Sequence, residues 1–232
     1  MLPLILLAPA AEPAFTLPAT SQQVLISVTS SWTATTGILM AYQRDSSGAW
    51  TSPDGLSTTM VVGKSGLGWG TGLHPAGLEG PVKREGDGRA PAGVFHLGTA
   101  MGYAPTASFA WPYQPSGDDT RCVDDTASSS YNQVVGAETP VSWTSAETMR
   151  RTDGLYELLV LVGHNEARVA GDGSCIFLHV WRAASKATVG CTAMSKDALE
   201  RIVAWLDPAA EPLLVQLPKD AYGTRISAWG LP

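Results

Sequence analysis

SCIFLHVWRAASKATVGC, residues 174–191, starts as an apolar and aromatic run, passes through a polar loop and ends on a glycine and a cysteine. Strand alternation over 174–181 puts Cys175, Phe177, His179 and Trp181 on one face, and Ile176, Leu178 and Val180 on the other. Upstream, LYELLVLVGHN, residues 155–165, is a second nearly continuous apolar run. Two such runs, bounded by Gly and polar residues, fit central strands covered on both faces. Beyond Cys191, Ser195 is placed to cap a helix whose Leu199, Ile202, Val203 and Leu206 share one stripe, and Pro208 lies just past its end.

Working outward, QVLISVTSSW (23–32) and TGILMAYQR (36–44) read as strands, with DSSG (45–48) as the polar turn before Trp50. KREGDGRAPAGVFHLG (83–98) is a polar turn leading into a short strand that carries Phe95 and Leu97, and PLLVQLP (212–218) closes the chain as its last strand. The stretch from Tyr103 to Trp143 is long, polar and rich in Pro, Ser and Asp. Its aromatics, Tyr103, Phe109, Trp111, Tyr113, Tyr131 and Trp143, argue for order, and so for a cover or wall over a site. With 24 Gly and 16 Pro and little amphipathic helical pattern, the chain is expected to be mainly β.

At 232 residues and 44% hydrophobic content the chain can bury one sizeable core, and residues 21–232 read as a single domain. A net charge of −6 without blocks of like charge offers nothing to nucleic acid or an anionic membrane; a small molecule or peptide is the better partner. The start, MLPLILLAPAAEPA, resembles the apolar core of a signal peptide followed by the small residues Ala8, Pro9 and Ala10. Residues 1–20 therefore read as a signal peptide or an apolar tail, with export as the expectation.

Gly63, Lys64 and Ser65 imitate the end of a phosphate-binding loop, but Thr58 stands where that loop needs glycine, so nucleotide binding is rejected. The four histidines, His74, His96, His164 and His179, are scattered without a metal-ligand pair, so neither a metal nor a cofactor is expected. Three cysteines, Cys122, Cys175 and Cys191, allow one disulfide and a free thiol, or three thiols.

A thiol nucleophile needs a base, backbone N–H groups for the oxyanion, and room for the substrate. Gly190 is expected to supply room and unusual backbone angles before Cys191. Twelve positions separate His179 from Cys191, enough for the chain to turn and return beside the histidine. Cys175, four residues along an extended strand, would lie roughly 13 Å from His179. Geometry therefore pairs Cys191 with His179. A papain-like order, with cysteine early and histidine far downstream, does not fit.

GSCIFLHVWR followed by TVGCTAMS resembles the signature of the L,D-transpeptidase (YkuD-type) family. KREGDGRAPAGVF resembles that family's Gly…Thr-Pro-x-Gly-x-Phe segment, and VVGKSGLGWG, RCVDDTASSSYN and LVLVGHN resemble blocks of one secreted subgroup. The likeness runs from about residue 24 to 218. It implies a mainly β sandwich or barrel with a few short helices, one after the catalytic cysteine, facing the cell wall. The implied substrates are peptidoglycan stem peptides: Cys191 attacks the bond after the diamino acid, a terminal D-alanine leaves, and an amine takes the acyl group. Carbapenem β-lactams are the implied inhibitors. By position, His179 is the base, backbone N–H groups around Gly190 and Cys191 hold the oxyanion, and a backbone carbonyl orients the other nitrogen of His179. Val189 stands where many relatives have a second histidine, Thr192-Ala193 replaces the usual pair after the cysteine, and Ala90 stands where Thr commonly precedes Pro.

If Cys191 stays free, Cys122 and Cys175 form the remaining pair, closing a loop of 53 residues. Asp124, Tyr131, Asn132 and His164 are the further candidates for contact with a stem peptide, although Asp and Asn are also ordinary turn residues. Two other functions stay open: a carboxypeptidase-type hydrolase on the same site, and a cell-wall binding protein without catalysis.

Overall fold

A computed structural model describes residues 14–232; the apolar start with Ala8, Pro9 and Ala10 lies outside the described residues. Both expected strands are present: β1 (Gln23–Thr29) pairs antiparallel with β2 (Thr36–Arg44), and the DSSG turn brings β3 (Trp50–Thr51) back antiparallel onto β2. β4 (Ser57–Val61) and β5 (Leu67–Trp69) flank the glycine-rich loop, and β6 (Ala90–Gly102) follows. At 13 residues β6 is much longer than the short strand its sequence suggests. It reaches that length because two different neighbours take its two halves on one side: β14 (Leu213–Pro218) pairs with residues 93–96 and β7 (Tyr113–Pro115) with residues 100–102.

The polar stretch after β6 folds into β7 and a small separate sheet of β8 (Arg121–Val123), β9 (Val134–Val135) and β10 (Ala146–Thr148). β11 (Leu158–Val162), β12 (Phe177–Val180) and β13 (Thr192–Met194) complete the strands. The main sheet runs β1-β14-β6-β11-β12-β13-β4-β2, and β2 pairs back onto β1. Eight strands thus close a ring, and the architecture is a mainly β barrel with few short helices. Closure leaves no free edge along those strands. β11 and β12 are central, as their apolar runs predict: Leu158, Leu159, Val160, Phe177 and Leu178 are all buried.

α1 (Lys196–Trp205) follows β13, with Ser195 Oγ accepting the Ala198 N–H at 3.3 Å as the expected N-cap. Ala198, Leu199, Ile202 and Val203 form its buried stripe. After β14 the chain does not end as a strand. A second helix, α2 (Lys219–Trp229), is stopped by Gly230 in the left-handed region, φ 63°.

Two local expectations are corrected. The strand expected over 174–181 is only Phe177–Val180; Cys175 has φ 56°, so the chain kinks before the strand and the 13 Å separation does not apply. Gly190 is absent from the positive-φ residues, so it is not in the left-handed region. What it contributes is space: a Cβ there would stand 3.3 Å from the Arg89 carbonyl oxygen.

Candidate active site

Parallel pairing of β12 with β13 sets His179 beside Ala193, and continuing that register sets Cys191 beside Phe177. His179 and Cys191 are therefore diagonal neighbours on the same face of adjacent strands. Both line a cleft of 290 Å³, together with Arg151, Leu155, Tyr156, Trp181, Arg182, Lys186, Ala187, Thr188 and Val189. Val189, at the mouth, is 69% exposed.

The ring of His179 is oriented by backbone. Its Nδ1 lies 2.7 Å from the Val180 carbonyl oxygen. A carbonyl only accepts, so Nδ1 carries the proton and Nε2 keeps its lone pair. Burial holds the imidazole down at about 4, and the Arg151 guanidinium pushes the same way. At neutral pH His179 is thus an uncharged base. Tyr156 packs edge-on against it, ring centroids 5.3 Å apart.

Cys191 is buried, and it is the free cysteine of the described residues. Its Sγ accepts the Phe177 N–H at 3.4 Å and donates to the Cys175 carbonyl oxygen at 3.4 Å. Burial pushes the thiol well up, and the Glu147 carboxylate pushes it further. Both members of the pair are neutral at rest. Thr188 Oγ1 organises the turn before the thiol, accepting the Gly190 N–H at 3.2 Å and donating to the Cys191 carbonyl oxygen at 2.6 Å.

Cys122 and Cys175 are disulfide-bonded, joining β8 to the kink that carries the thiol's hydrogen-bond acceptor. Asn132 clamps the same kink. Its Nδ2 donates to the carbonyls of His164 and Asn165, each at 2.9 Å, and its Oδ1 accepts the Cys175 N–H at 3.0 Å. Tyr131 is equally committed, donating to Glu85 Oε2 at 2.6 Å and accepting the Gly173 N–H at 3.1 Å. His164 has its Nδ1 on the Thr71 N–H and its Nε2 on the Asp172 carbonyl. These three residues are tied into the loops that carry the site. Asp124 differs. It lines a second cleft, of 240 Å³, on the Gly190 side of Cys191, and its buried Oδ1 has no hydrogen-bond partner.

Glu147, Tyr156, Arg151 and Arg182 escaped the sequence reading. Tyr156 Oη donates to Glu147 Oε2 at 2.6 Å, beside the thiol. Burial raises Glu147, with Asp124 and Glu85 adding to it. The only signal of these four in the sequence is residue type: Glu147 lies just past the long polar stretch, and β10 delivers it to the site through tertiary pairing with β8.

Among the described residues no group of three or more His, Cys, Asp or Glu is arranged to hold a metal ion, and no helix is long and apolar enough to cross a membrane. In comparisons with known proteins, no family model, no curated protein and no solved structure matches the chain.

Proposed function

We propose that the chain is a cysteine-dependent acyltransferase of L,D-transpeptidase type, acting on peptidoglycan stem peptides. The observation that carries this reading is the Cys191 thiol sharing a cleft with a histidine whose tautomer is fixed by the Val180 carbonyl. The motif resemblance supplies the substrate class. The Cys122–Cys175 disulfide supports an exported location, since such bonds persist in oxidising compartments.

The chemistry follows from the protonation states. Sγ turns from the Cys175 carbonyl towards His179 and gives its proton to Nε2 as the sulfur attacks the acyl carbon. The S–C bond forms and the carbonyl electron pair moves to oxygen. Because the Gly190 N–H is held by Thr188, the Cys191 N–H is the oxyanion donor this reading assigns. Collapse breaks the C–N bond, and the leaving amine takes the proton from Nε2. The acceptor amine then attacks the thioester and gives a proton to Nε2, which returns it to sulfur as the S–C bond breaks. Water in place of the amine makes the same site a carboxypeptidase.

Intact-mass spectrometry after exposure to a carbapenem tests the reading, with Cys191→Ala alongside. An adduct on the unaltered protein that is lost in the variant is expected. Folded protein that stays unmodified would overturn acyl transfer and favour a binding protein. Product analysis with and without an added amine separates transferase from hydrolase.

A further inference from the structure

β14 reads LLVQLP, and Gln216, its one polar side chain, is buried. A buried carboxamide is costly unless its groups are paired, and this one is paired. Its Oε1 accepts from Ser27 Oγ at 2.8 Å and from Thr192 Oγ1 at 2.7 Å, and its Nε2 donates to the Pro91 carbonyl oxygen at 2.9 Å. Two of these bonds reach the strands beside β14, since Ser27 lies in β1 and Pro91 in β6. The third does not. β6, β11 and β12 separate β14 from β13 one way round the ring, and β1, β2 and β4 the other way. The Gln216–Thr192 bond therefore crosses the barrel interior between opposite walls, and it ends on the residue that follows Cys191.

β13 is thinly held without that bond. It is three residues long, and although it pairs with β12 at each of them, it meets β4 only where Ala193 faces Val61. Apolar packing around it is non-directional, whereas a hydroxyl on a carboxamide fixes both distance and angle. A single planar peptide unit joins the Cα of Thr192 to that of Cys191, so a shift of β13 passes straight to the Cys191 N–H. Thr188 already holds the Cys191 carbonyl from the other side at 2.6 Å. Neither Gln216 nor Thr192 lines the two clefts that meet at Cys191, so neither is placed to touch a substrate.

We propose that Gln216 is a positioning residue for acyl transfer: acting through the Thr192 hydroxyl across the barrel, it sets the direction of the Cys191 N–H, and so the alignment of the oxyanion donor with the acyl carbon that Sγ attacks. The inference rests on the acyl-transfer reading for the reaction, and on the cross-barrel bond for the residue. An apolar pair at 192 and 216 would fill the interior without the cost of burying polar groups, but it would leave β13 free to slide by fractions of an ångström. Oxyanion stabilisation depends on donor geometry at that scale.

The test compares two reactions of the same thiol. Acylation by a carbapenem passes through an oxyanion and uses the Cys191 N–H, whereas alkylation by iodoacetamide displaces iodide from a saturated carbon and does not. Both rates are read by intact mass on the unaltered protein, Thr192→Val and Thr192→Ser, with melting curves to show that each is folded. Valine removes the hydroxyl and leaves Gln216 Oε1 its bond from Ser27; serine keeps the hydroxyl and loses a methyl group. Thr192→Val is expected to be acylated about tenfold more slowly, part of the roughly 100- to 1,000-fold that loss of a whole oxyanion donor costs, with alkylation unchanged. Thr192→Ser should keep both rates. Gln216→Leu should slow acylation likewise, and adding Thr192→Val to it should slow it little further, because the bond is already gone. Where Gln216→Leu does not fold, the Thr192 pair decides. Full-rate acylation of Thr192→Val, a Thr192→Ser variant as slow as Thr192→Val, or acylation and alkylation falling together overturns this inference alone. An unaltered protein that forms no adduct overturns the acyl-transfer reading, and this inference with it.

Discussion

At the scale of single residues, the surroundings of Cys191, the proposed nucleophile, hold its thiol quiet. The Cys191 thiol donates to one backbone carbonyl, accepts from one backbone N–H, and is held protonated by burial and by Glu147. Thiolate is the reactive form, so its ordinary range near pH 8.5 marks the upper end of what an activated cysteine shows. We expect alkylation of Cys191 by iodoacetamide to be slow at pH 7 and still rising at pH 9, while a carbapenem acylates it readily. Stopped-flow or mass-resolved alkylation rates across pH check this, and a rate plateau reached below pH 7 would sink it. His179 and Cys191 were legible because a strand, a loop and a glycine fix both within one short stretch. Of the two things expected of Gly190, the room is present and the unusual backbone angle is not, since a required gap and a required φ leave the same letter in a sequence. Asp124, Tyr131, Asn132 and His164 could not be sorted by type: Asn and Tyr that clamp loops carry the same groups as those that bind ligands. Only partners distinguish them.

At the scale of elements, the kink at Cys175 is held from two sides, by the disulfide to β8 and by Asn132. The crosslink closes a separation of 53 residues, and on the chain-entropy account this contributes about 4 kcal/mol. Replacing both Cys122 and Cys175 by Ser is expected to lower unfolding stability by about that amount, read from urea midpoints at unchanged slope. An unchanged midpoint would show that the kink is held without the bond. The same kink explains why the apolar run 174–181 overstated its strand: Cys175 sits in a conformation that only its crosslink and clamp justify. β1, β2, β11, β12 and α1 were legible because each carries its own period. α2 was not. Its buried residues are Ala221, Arg225 and Trp229, a face with an arginine at its centre, which no apolar stripe announces. The β8–β9–β10 sheet has strands of two or three residues, too short for any alternation to register.

At the scale of the whole molecule, closure depends on pairings that no local pattern contains. β1 lies beside β14 across most of the chain, and β2 folds back onto β1 to finish the ring. The polar cost of closing such a core falls on buried histidines. His74, His164 and His179 are each lowered from 6.5 to about 4, with burial as the largest cause. His74 sits among Trp69, Phe95 and Trp229, and a Cβ on Gly93 would run into its ring. The sign follows directly. Below pH 6.5 the unfolded chain takes up protons that the folded chain refuses, so stability is full above that pH and is lost as pH falls towards 4. A shift of this size corresponds to about 3 kcal/mol for each histidine, comparable with the whole margin of a typical domain when all three act. We therefore expect cooperative acid unfolding between pH 6 and 4, steeper than carboxylates alone would give, and moved to lower pH by His164→Gln where the neutral amide can reproduce one of the two ring hydrogen bonds. Circular dichroism across pH, with urea titrations at pH 7, 6 and 5, measures the proton uptake. A stability that stays flat from pH 7 to 4.5 would mean that these rings titrate in the folded barrel as they do in the unfolded chain, and that burial does not hold His179, the proposed base, down to about 4.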